Sequence, residues 1–236
     1  MTSADVLVRC QGAARTYGAG AAAVVAVHGA TCEVRTGDRI AITGPSGSGK
    51  STLLHLMAAL EGPTTGRVSW PGLVRGPVPV QVGVVFQGPS LIPALDVVEN
   101  TALPLVLAGH PQESARRRAL DALALVAATG LADKLPEELS GGQAQRVAVA
   151  RVLAAAPRLI LADEPTGQLD RTTGRHVVDV LLATADALGA ALVVTTHDPA
   201  VARRLTEQWS MHDGRLRTGP NPPGDAPTDA SEGTRP

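Results

Sequence analysis

The chain has 236 residues, a formal net charge of −1 and only 2% aromatic residues. This length fits one α/β domain with a substantial core. The balanced charge provides no basic field for nucleic acid, and the scarcity of aromatic rings removes most stacking platforms for single-stranded nucleic acid or sugars.

The cysteines and the start of the chain bear on its compartment. Cys10 and Cys32 are too few for a disulfide framework, so we expect two buried thiols in a reducing cytosol. The first residues lack the basic start and apolar stretch of a signal peptide, and no window reaches the roughly 18 apolar residues of a spanning helix. We therefore expect a soluble chain whose role at a membrane requires a partner.

The first third of the chain predicts short strands around a glycine-rich loop. Residues 5–9 and 24–35 have the composition of strands, with a glycine-rich turn between them. Residues 39–44 predict a short buried strand that runs directly into the glycines. The helix that follows ends at a Gly-Pro pair, and its apolar face consists of Leu53, Leu54, Leu56, Met57 and Leu60.

The rest of the chain alternates between helices and short apolar strands. Residues 90–156 are mainly helical in pattern, and residues 218–236 are rich in Pro, Gly, Asp, Ser and Thr, which predicts a disordered tail. The alternation predicts a parallel sheet covered by helices on both faces. The predicted strands are 68–70, 82–86, 159–162 and 191–196, and the clearest helices are 114–128 and 172–188.

The stretch GPSGSGKST has the spacing of a Walker A phosphate loop and lies between a predicted strand and a predicted helix. Glycines let backbone N–H groups face phosphates, and the helix N-terminus adds partial positive charge. Lys50 is expected to reach the β- and γ-phosphates of ATP, and Ser51 to offer its hydroxyl to Mg²⁺. The predicted nucleotide-binding residues here are Gly44, Pro45, Ser46, Gly47, Ser48, Gly49, Lys50, Ser51 and Thr52.

Two carboxylates follow the buried strand at 159–162. Asp163 lies at the carboxyl end of this strand, where open α/β sheets bind ligands, and it is expected to hold Mg²⁺ directly or through water. Glu164 would project towards a water that attacks the γ-phosphate. An ion pair at a strand end is the structural alternative for these carboxylates.

The string LSGGQ lies between the phosphate loop and the acidic strand end. Ser140 and the two glycines begin a buried helix whose N-terminus suits an anion such as a γ-phosphate. An ordinary N-cap explains Ser140 but not the whole string. The phosphate loop, LSGGQ and LILADEPTGQLD in this order resemble the ATP-binding-cassette (ABC) ATPases, over roughly residues 5–217.

This resemblance implies an α/β fold of the P-loop NTPase type, with a mostly parallel core sheet, an antiparallel β subdomain and an inserted helical subdomain at about residues 90–156. The ATPase domain would cover residues 1–217 and the disordered tail residues 218–236. The resemblance also implies ATP and Mg²⁺ as cofactors, and hydrolysis of ATP to ADP and phosphate as the reaction.

In ABC ATPases the LSGGQ loop contacts the ATP that the other subunit holds. Ser140, Gly141, Gly142 and Gln143 are therefore expected to act in trans, in a head-to-tail dimer that buries two ATPs. The expected partner is a second copy of the chain or a homologous ATPase subunit, since two-fold symmetry permits two equivalent sites.

Five further residues match functional positions of the same family. Glu164 matches the general base, and His197 the histidine that contacts the γ-phosphate. Gln87 matches the glutamine that touches Mg²⁺ and the attacking water. Asp170 matches the loop that couples the two sites, and Tyr17 matches the aromatic residue that stacks on adenine. A half-buried core tyrosine is the structural alternative for Tyr17.

The sequence after Gln87, GPSLIPALDVVENTALPLVL, and the string EPTGQLD look like the cassettes of macrolide-export, lipoprotein-release and cell-division systems. The resemblance implies a separate integral membrane permease, with this chain peripheral on the cytoplasmic face and without a nucleic-acid partner. Three alternatives stay open: a cell-division role that transmits force without moving a solute, a soluble ATPase acting on nucleic acid or ribosomes, and a non-hydrolysing regulatory cassette.

One segment departs from the pattern of that group. Residues 67–86 are shorter than the group's usual segment, which bears on how the chain docks its permease and not on phosphate chemistry. Neither the transported substance nor its direction follows from these residues, because substrate choice belongs to the membrane helices of the partner.

Overall fold

The computed structural model describes residues 5–73 and 81–219. The predicted disordered tail lies outside the described residues from 220 onwards, as does the 74–80 part of the short segment. The strands are β1 (Val6–Tyr17), β2 (Val24–Arg35), β3 (Arg39–Thr43), β4 (Thr65–Ser69), β5 (Val82–Val85), β6 (Leu159–Asp163), β7 (Ala191–Thr196), β8 (Glu207–His212) and β9 (Arg215–Arg217). The helices are α1 (Lys50–Met57), α2 (Val97–Leu107), α3 (Gln112–Leu125), α4 (Gly141–Ala154), α5 (Arg171–Leu188) and α6 (Pro199–Ala202).

The core sheet has the strand order β5-β6-β7-β3-β8-β9, and only the last pairing is antiparallel. Every residue of β6 and β7 is buried. Strands covered on both faces are continuously apolar, which is why these two were recognisable in the sequence as short apolar runs. The carboxyl ends of β3, β5, β6 and β7 lie at one edge of this sheet, because the four strands are parallel neighbours.

A second, antiparallel sheet has the order β2-β1-β4. β1 continues to Tyr17, far beyond the predicted strand at 5–9, because its polar second half pairs with β2 through several register shifts. Gly66 of β4 has a φ of 76°, and a Cβ there would lie 2.0 Å from the carbonyl oxygen of Gly12 in β1. The close approach of the two strands therefore requires glycine at this position.

Helices α2, α3 and α4 pack against one another and lie within the 90–156 range predicted for a helical subdomain. Asp96 and Glu99 form a capping box at the start of α2. The buried Asn100 side chain donates to the carbonyl oxygens of Ile92, Leu95 and Asp96, so one amide holds the loop that enters this helix.

Several element boundaries differ from the predictions, and two of them show a local reason. The helix predicted at 114–128 ends at Leu125, because Ala127 has a left-handed φ of 51° that a helix cannot continue through. The helix predicted at 172–188 begins one residue earlier, after the Asp170 cap. The parallel core sheet, the antiparallel sheet and the helices between β5 and β6 confirm the predicted α/β fold class.

Candidate functional site

The phosphate loop joins β3 to α1 and is held by close backbone contacts. Gly44 and Gly49 have φ angles of 150° and 98°. A Cβ on Gly44 would lie 2.1 Å from the carbonyl oxygen of Met211, and one on Gly49 would lie 2.1 Å from that of Ala26. The loop is therefore clamped between β2 and β8, with room for glycine alone at both points.

Lys50 is the first residue of α1, and its side chain folds back into the loop. Its Nζ donates to the carbonyl oxygens of Gly44 and Pro45, at 2.9 Å each, and lies 4.0 Å from Oε1 of Glu164. The residue is only 5% exposed. The Ser48 hydroxyl oxygen is buried, with no hydrogen-bond partner among the described residues. A buried cation and an unpartnered hydroxyl beside a helix N-terminus suit a bound phosphate group.

Asp163 and Glu164 leave the end of β6, and one hydroxyl of β7 fixes both. Thr195 Oγ1 donates to Oδ1 of Asp163 at 2.5 Å and accepts from the backbone N–H of Glu164 at 3.0 Å. Glu164 has a φ of 43°, which is rare for a non-glycine residue. Thr195 is fully buried and was not singled out from the sequence, because only its pairing with Asp163 across the sheet reveals the contact.

His197 follows β7 and meets Glu164 at the same edge. Its Nδ1 lies 2.7 Å from Oε2 of Glu164, while 65% of its side chain is exposed. The Glu164 side chain is 14% exposed, so its carboxylate is largely enclosed, with Lys50 on one oxygen and His197 on the other. The sheet thus brings together three residues that the sequence analysis predicted to share a site.

Gln87 is exposed and lies two residues beyond the end of β5, at the same edge of the sheet. The loop that contains it is tied to α4. Gln145 Nε2 donates to the carbonyl oxygen of Phe86 at 3.1 Å, and Arg151 Nη1 donates to that of Ser90 at 2.8 Å. Neither Gln145 nor Arg151 stood out in the sequence, because both contacts join residues about sixty positions apart.

The signature segment begins α4. Ser140 Oγ accepts from the N–H of Gln143, whose side-chain oxygen accepts from the N–H of Ser140, so the two form a capping box. A Cβ on Gly142 would lie 3.3 Å from Leu169, and one on Gly141 would lie 3.8 Å from Gln168. Apart from chain neighbours and the backbone of α4, no other described residue comes within 4 Å of these two Cβ positions, so the glycines face the loop after β6 and not the phosphate loop of the same chain.

Asp170 is the N-cap of α5. Its Oδ1 accepts from the N–H groups of Thr172 and Thr173, both at 3.0 Å, and its Oδ2 accepts from the Thr173 hydroxyl at 2.5 Å. The Thr173 hydroxyl, together with the two N–H groups, holds the pKa of Asp170 below its usual value. The cap accounts for this carboxylate locally, so its predicted coupling role stays a prediction.

Tyr17 ends β1, opposite Val24, and is 37% exposed. Its hydroxyl donates to Oε2 of Glu61 at 2.6 Å, and the guanidinium carbon of Arg15 lies 4.9 Å from the centre of its ring. Neither Arg15 nor Glu61 stood out in the sequence, since Glu61 is 44 positions away from the tyrosine that it contacts.

Comparison with known proteins defines the class to which this site belongs. Residues 27–167 match the family model described as ABC transporter. The match covers more than half of the chain, and the chain therefore belongs to the ABC transporter family. It is an ATP-binding, ATP-hydrolysing subunit of a transporter in this family, as the sequence analysis predicted.

Individual relatives agree with this assignment. The chain is 39% identical to the lipoprotein-releasing system ATP-binding protein LolD of Legionella pneumophila (strain Paris), over 90% of this chain and 97% of the relative. It is 41% identical to the protein of the same name from Paramagnetospirillum magneticum (strain ATCC 700264 / AMB-1), over 80% of this chain and 88% of the relative.

Solved structures match the fold along most of the chain. A dimeric post-hydrolysis state of the ATP-binding cassette MJ0796, bound to ADP and Pi, has a TM-score of 0.83 at 34% identity and covers 90% of this chain and 98% of its own. The cbiO1 protein from Clostridium perfringens, part of the ABC transporter complex cbiONQ, has a TM-score of 0.76 at 27% identity and covers 90% and 87%. Within residues 5–73 and 81–219, no helix has the length and apolar character needed to cross a membrane.

Proposed function

We propose that the chain works as a head-to-tail dimer that hydrolyses Mg–ATP at two composite sites and drives a separate membrane permease of the lipoprotein-release type. The observation that carries the proposal is the enclosure of the Glu164 carboxylate between Lys50 and His197 at the edge of the phosphate loop. The lipoprotein-release assignment rests on relatives bearing that name, and it favours transport over the cell-division alternative.

The phosphate loop would bind the triphosphate through backbone N–H groups, the N-terminus of α1 and Lys50. The Lys50 ammonium donates to two carbonyl oxygens of the loop, which supports its proposed contact with phosphate oxygens bound there. Ser51, Gln87 and Asp163 supply the oxygen donors that Mg²⁺ prefers, and these three would hold it. The ion would neutralise charge on the phosphate oxygens.

Glu164 is the proposed general base for the attacking water. Its backbone is fixed by Thr195, and its Oε2 lies 2.7 Å from Nδ1 of His197, so the side chain has a defined direction. This orientation assigns the Nδ1 proton to the contact with Glu164 and leaves Nε2 of the exposed imidazole free to meet a γ-phosphate. A base that must take a proton from water needs such a fixed direction, because the proton has to lie within hydrogen-bond reach of the carboxylate.

The second half of each site would come from the other subunit. Gly141 and Gly142 face Gln168 and Leu169 of their own chain, so the phosphate loop lacks this helix N-terminus until a second chain supplies it. Ser140, Gln143 and both glycines would then contact the γ-phosphate in trans. Asp170, which caps α5 immediately after Gln168 and Leu169, would link the two sites.

A groove of about 390 Å³ on α2 and α3 is the proposed docking site for the permease. Its lining is mostly apolar, with Val98, Ala102, Leu103 and Val106, and it also includes the charged side chains of Glu99 and Arg116. The loop of Gln87 is joined to α4 through Arg151, so a segment docked beside α2 could affect both Gln87 and the signature helix. Docking here would place the chain at the cytoplasmic face of the membrane.

The test is the rate of phosphate release by the purified chain, with Glu164→Gln and a matched variant, Glu113→Gln, on the exposed start of α3. We expect Glu164→Gln to slow hydrolysis about 10²–10⁴-fold, as for loss of a general base, while ATP binding persists. Light scattering should show an ATP-dependent dimer of this variant, and Glu113→Gln should match the wild type. Full turnover by Glu164→Gln would remove this residue from the proposed role.

A further inference from the structure

Tyr17, Arg15 and Glu61 form a cluster that has no part in the proposed binding of the phosphates. Glu61 Oε2 accepts from the Tyr17 hydroxyl at 2.6 Å and from Nε of Arg15 at 2.9 Å. Arg15 Nη1 also donates to the carbonyl oxygen of Gly62 at 3.1 Å, while its guanidinium lies 4.9 Å from the ring centre. One face of the ring therefore carries a cation, while 37% of the residue stays exposed.

Two sets of backbone contacts, one through α1 and one through β2, connect this cluster to the phosphate loop. The backbone N–H groups of Leu60 and Glu61 donate to the carbonyl oxygen of His55 in the last turn of α1, whose first turn carries Lys50. On the other side, Tyr17 pairs with Val24 of β2, and Ala26 of the same strand packs against the phosphate loop at Gly49. The position of the ring relative to the loop is thus set by a helix and by a strand.

We infer that Glu61 and Arg15 are positioning residues, which hold the ring of Tyr17 as a platform for the base of the bound nucleoside triphosphate. The inference rests on the proposed ATPase function and goes beyond it by naming the residues that fix the base. Aromatic rings stack on nucleobases with little regard to their identity, so the platform suits a purine ring without selecting it by hydrogen bonds.

The hydrogen bonds of Glu61 to Tyr17 and Arg15 restrict the orientation of the Tyr17 ring. A tyrosine at a strand end with a free hydroxyl would sample several ring orientations, and ordering it on binding would weaken affinity. Partial burial alone would raise the pKa of Glu61, but the Tyr17 hydroxyl and the Arg15 guanidinium outweigh it, and the pKa lies below its usual value. The carboxylate therefore stays an acceptor for both partners through the neutral pH range.

The ring of Tyr17 can be observed without overlap from other tyrosines, because Tyr17 is the only tyrosine in the sequence. Protein labelled with ring-¹³C tyrosine gives signals from this residue alone. Mg–ATP should shift these signals through the ring current of the base, whereas Mg–tripolyphosphate, which has no base, should leave them nearly unchanged. Equal shifts with both ligands would overturn the inference.

Binding of the same two probes, measured by calorimetry, separates positioning from general damage. We expect Glu61→Ala to weaken Mg–ATP binding about tenfold and to change Mg–tripolyphosphate binding less than about twofold, with the rate at saturating ATP near that of the wild type. Glu61→Gln, which keeps an acceptor oxygen for Tyr17 and Arg15, should restore most of the loss. The matched control is Glu33→Ala, since Glu33 pairs with Arg9 in the same β sheet but does not touch Tyr17.

The inference is overturned if Glu61→Ala leaves the ratio of Mg–ATP affinity to Mg–tripolyphosphate affinity unchanged. It is also overturned if Glu33→Ala lowers this ratio as much as Glu61→Ala does. If Glu61→Ala does not fold, Tyr17→Phe replaces it as the test, because this variant loses only the hydroxyl. It should weaken Mg–ATP binding about threefold and leave Mg–tripolyphosphate binding unchanged. A chain that shows the expected preference but releases no phosphate would overturn the proposed function and leave the positioning role in place.

Discussion

Oε2 of Glu164 lies 2.7 Å from Nδ1 of His197, although the two residues are 33 positions apart and follow different strands. The contact exists because β6 and β7 are parallel neighbours whose carboxyl ends meet at one edge of the sheet. The parallel sheet therefore brings a carboxylate, an imidazole and the Lys50 ammonium together at the place proposed for the γ-phosphate.

Replacement of Thr195 by valine tests the hydroxyl that joins Asp163 to Glu164. The change keeps the shape of the buried side chain but leaves Asp163 without its 2.5 Å donor and Glu164 N–H without one of its acceptors. We expect the turnover number to fall about tenfold and stability to fall by about 1–3 kcal/mol, the cost of an unsatisfied buried polar group. Urea unfolding and steady-state ATPase assays measure the two effects.

Thr101→Val is the control, because the Thr101 hydroxyl is buried and donates to Val97 within α2, away from the site. Its stability should fall while its turnover number stays unchanged. Equal turnover in the two variants would show that the Thr195 hydroxyl does not orient the carboxylates.

Two glycines of the phosphate loop should respond very differently to alanine. A Cβ on Gly49 would lie 2.1 Å from the carbonyl oxygen of Ala26, whereas one on Gly47 meets nothing within 4 Å. Gly47→Ala should therefore cost only the left-handed strain, about 1–2 kcal/mol, while Gly49→Ala must also displace β2. Thermal unfolding compares them, and similar losses of stability would mean that the clamp between the loop and β2 is not tight.

The paired cysteines should be unreactive in the folded chain. Cys10 and Cys32 are directly opposite each other on β1 and β2, and both are buried. The hydrogen bond between Cys32 and Cys10, followed by burial, raises the pKa of Cys32 well above its usual value, so little Cys32 thiolate forms at neutral pH. A chromogenic disulfide reagent at pH 8 should react slowly with the native chain and rapidly with both thiols in denaturant; fast native reaction would refute this.

Asp170 gives a pH-dependent contribution to stability whose sign follows from its lowered pKa. A carboxylate with a depressed folded-state pKa stabilises the fold above the ordinary aspartate pKa of about 4, and this stabilisation is lost as the pH falls through the folded value. Asp170→Ala should therefore lower the melting temperature at pH 7, and its difference from the wild type should shrink towards pH 3.

The control for Asp170 is Asp121→Ala on the exposed face of α3. It should change the melting temperature little at either pH. A difference between Asp170→Ala and the wild type that stays constant from pH 7 to pH 3 would show that the cap does not depend on ionisation.

The predictable parts of the site were those whose chemistry is local in the chain. The phosphate loop, the signature string and the acidic end of β6 each consist of adjacent residues with a fixed spacing, so no tertiary information was needed to recognise them. Their order then carried the resemblance to ABC ATPases. The parallel sheet was predictable for the same reason, because buried strands such as β6 and β7 are short, continuous apolar runs.

The remaining parts depend on long-range pairing. Thr195, Glu61 and Arg151 are ordinary residues in the sequence and acquire a role only through partners that lie 32 to 61 positions away. The second half of β1 was missed because its pairing with β2 proceeds through register shifts that break the alternating pattern. Ala127, which ends α3 early through a positive φ, carries no sequence signal of that conformation.

We propose that each active site is shared between two chains, and a mixture of two inactive variants distinguishes a shared site from a site within one chain. Lys50→Ala removes the phosphate-loop cation and keeps the signature, while Ser140→Arg blocks the signature and keeps the phosphate loop. Each variant alone should release almost no phosphate. Random mixing makes half of the dimers mixed, each with one complete site, so the mixture should recover about a quarter of the wild-type rate. A mixture no more active than its separate components would show that a single chain contains its whole active site.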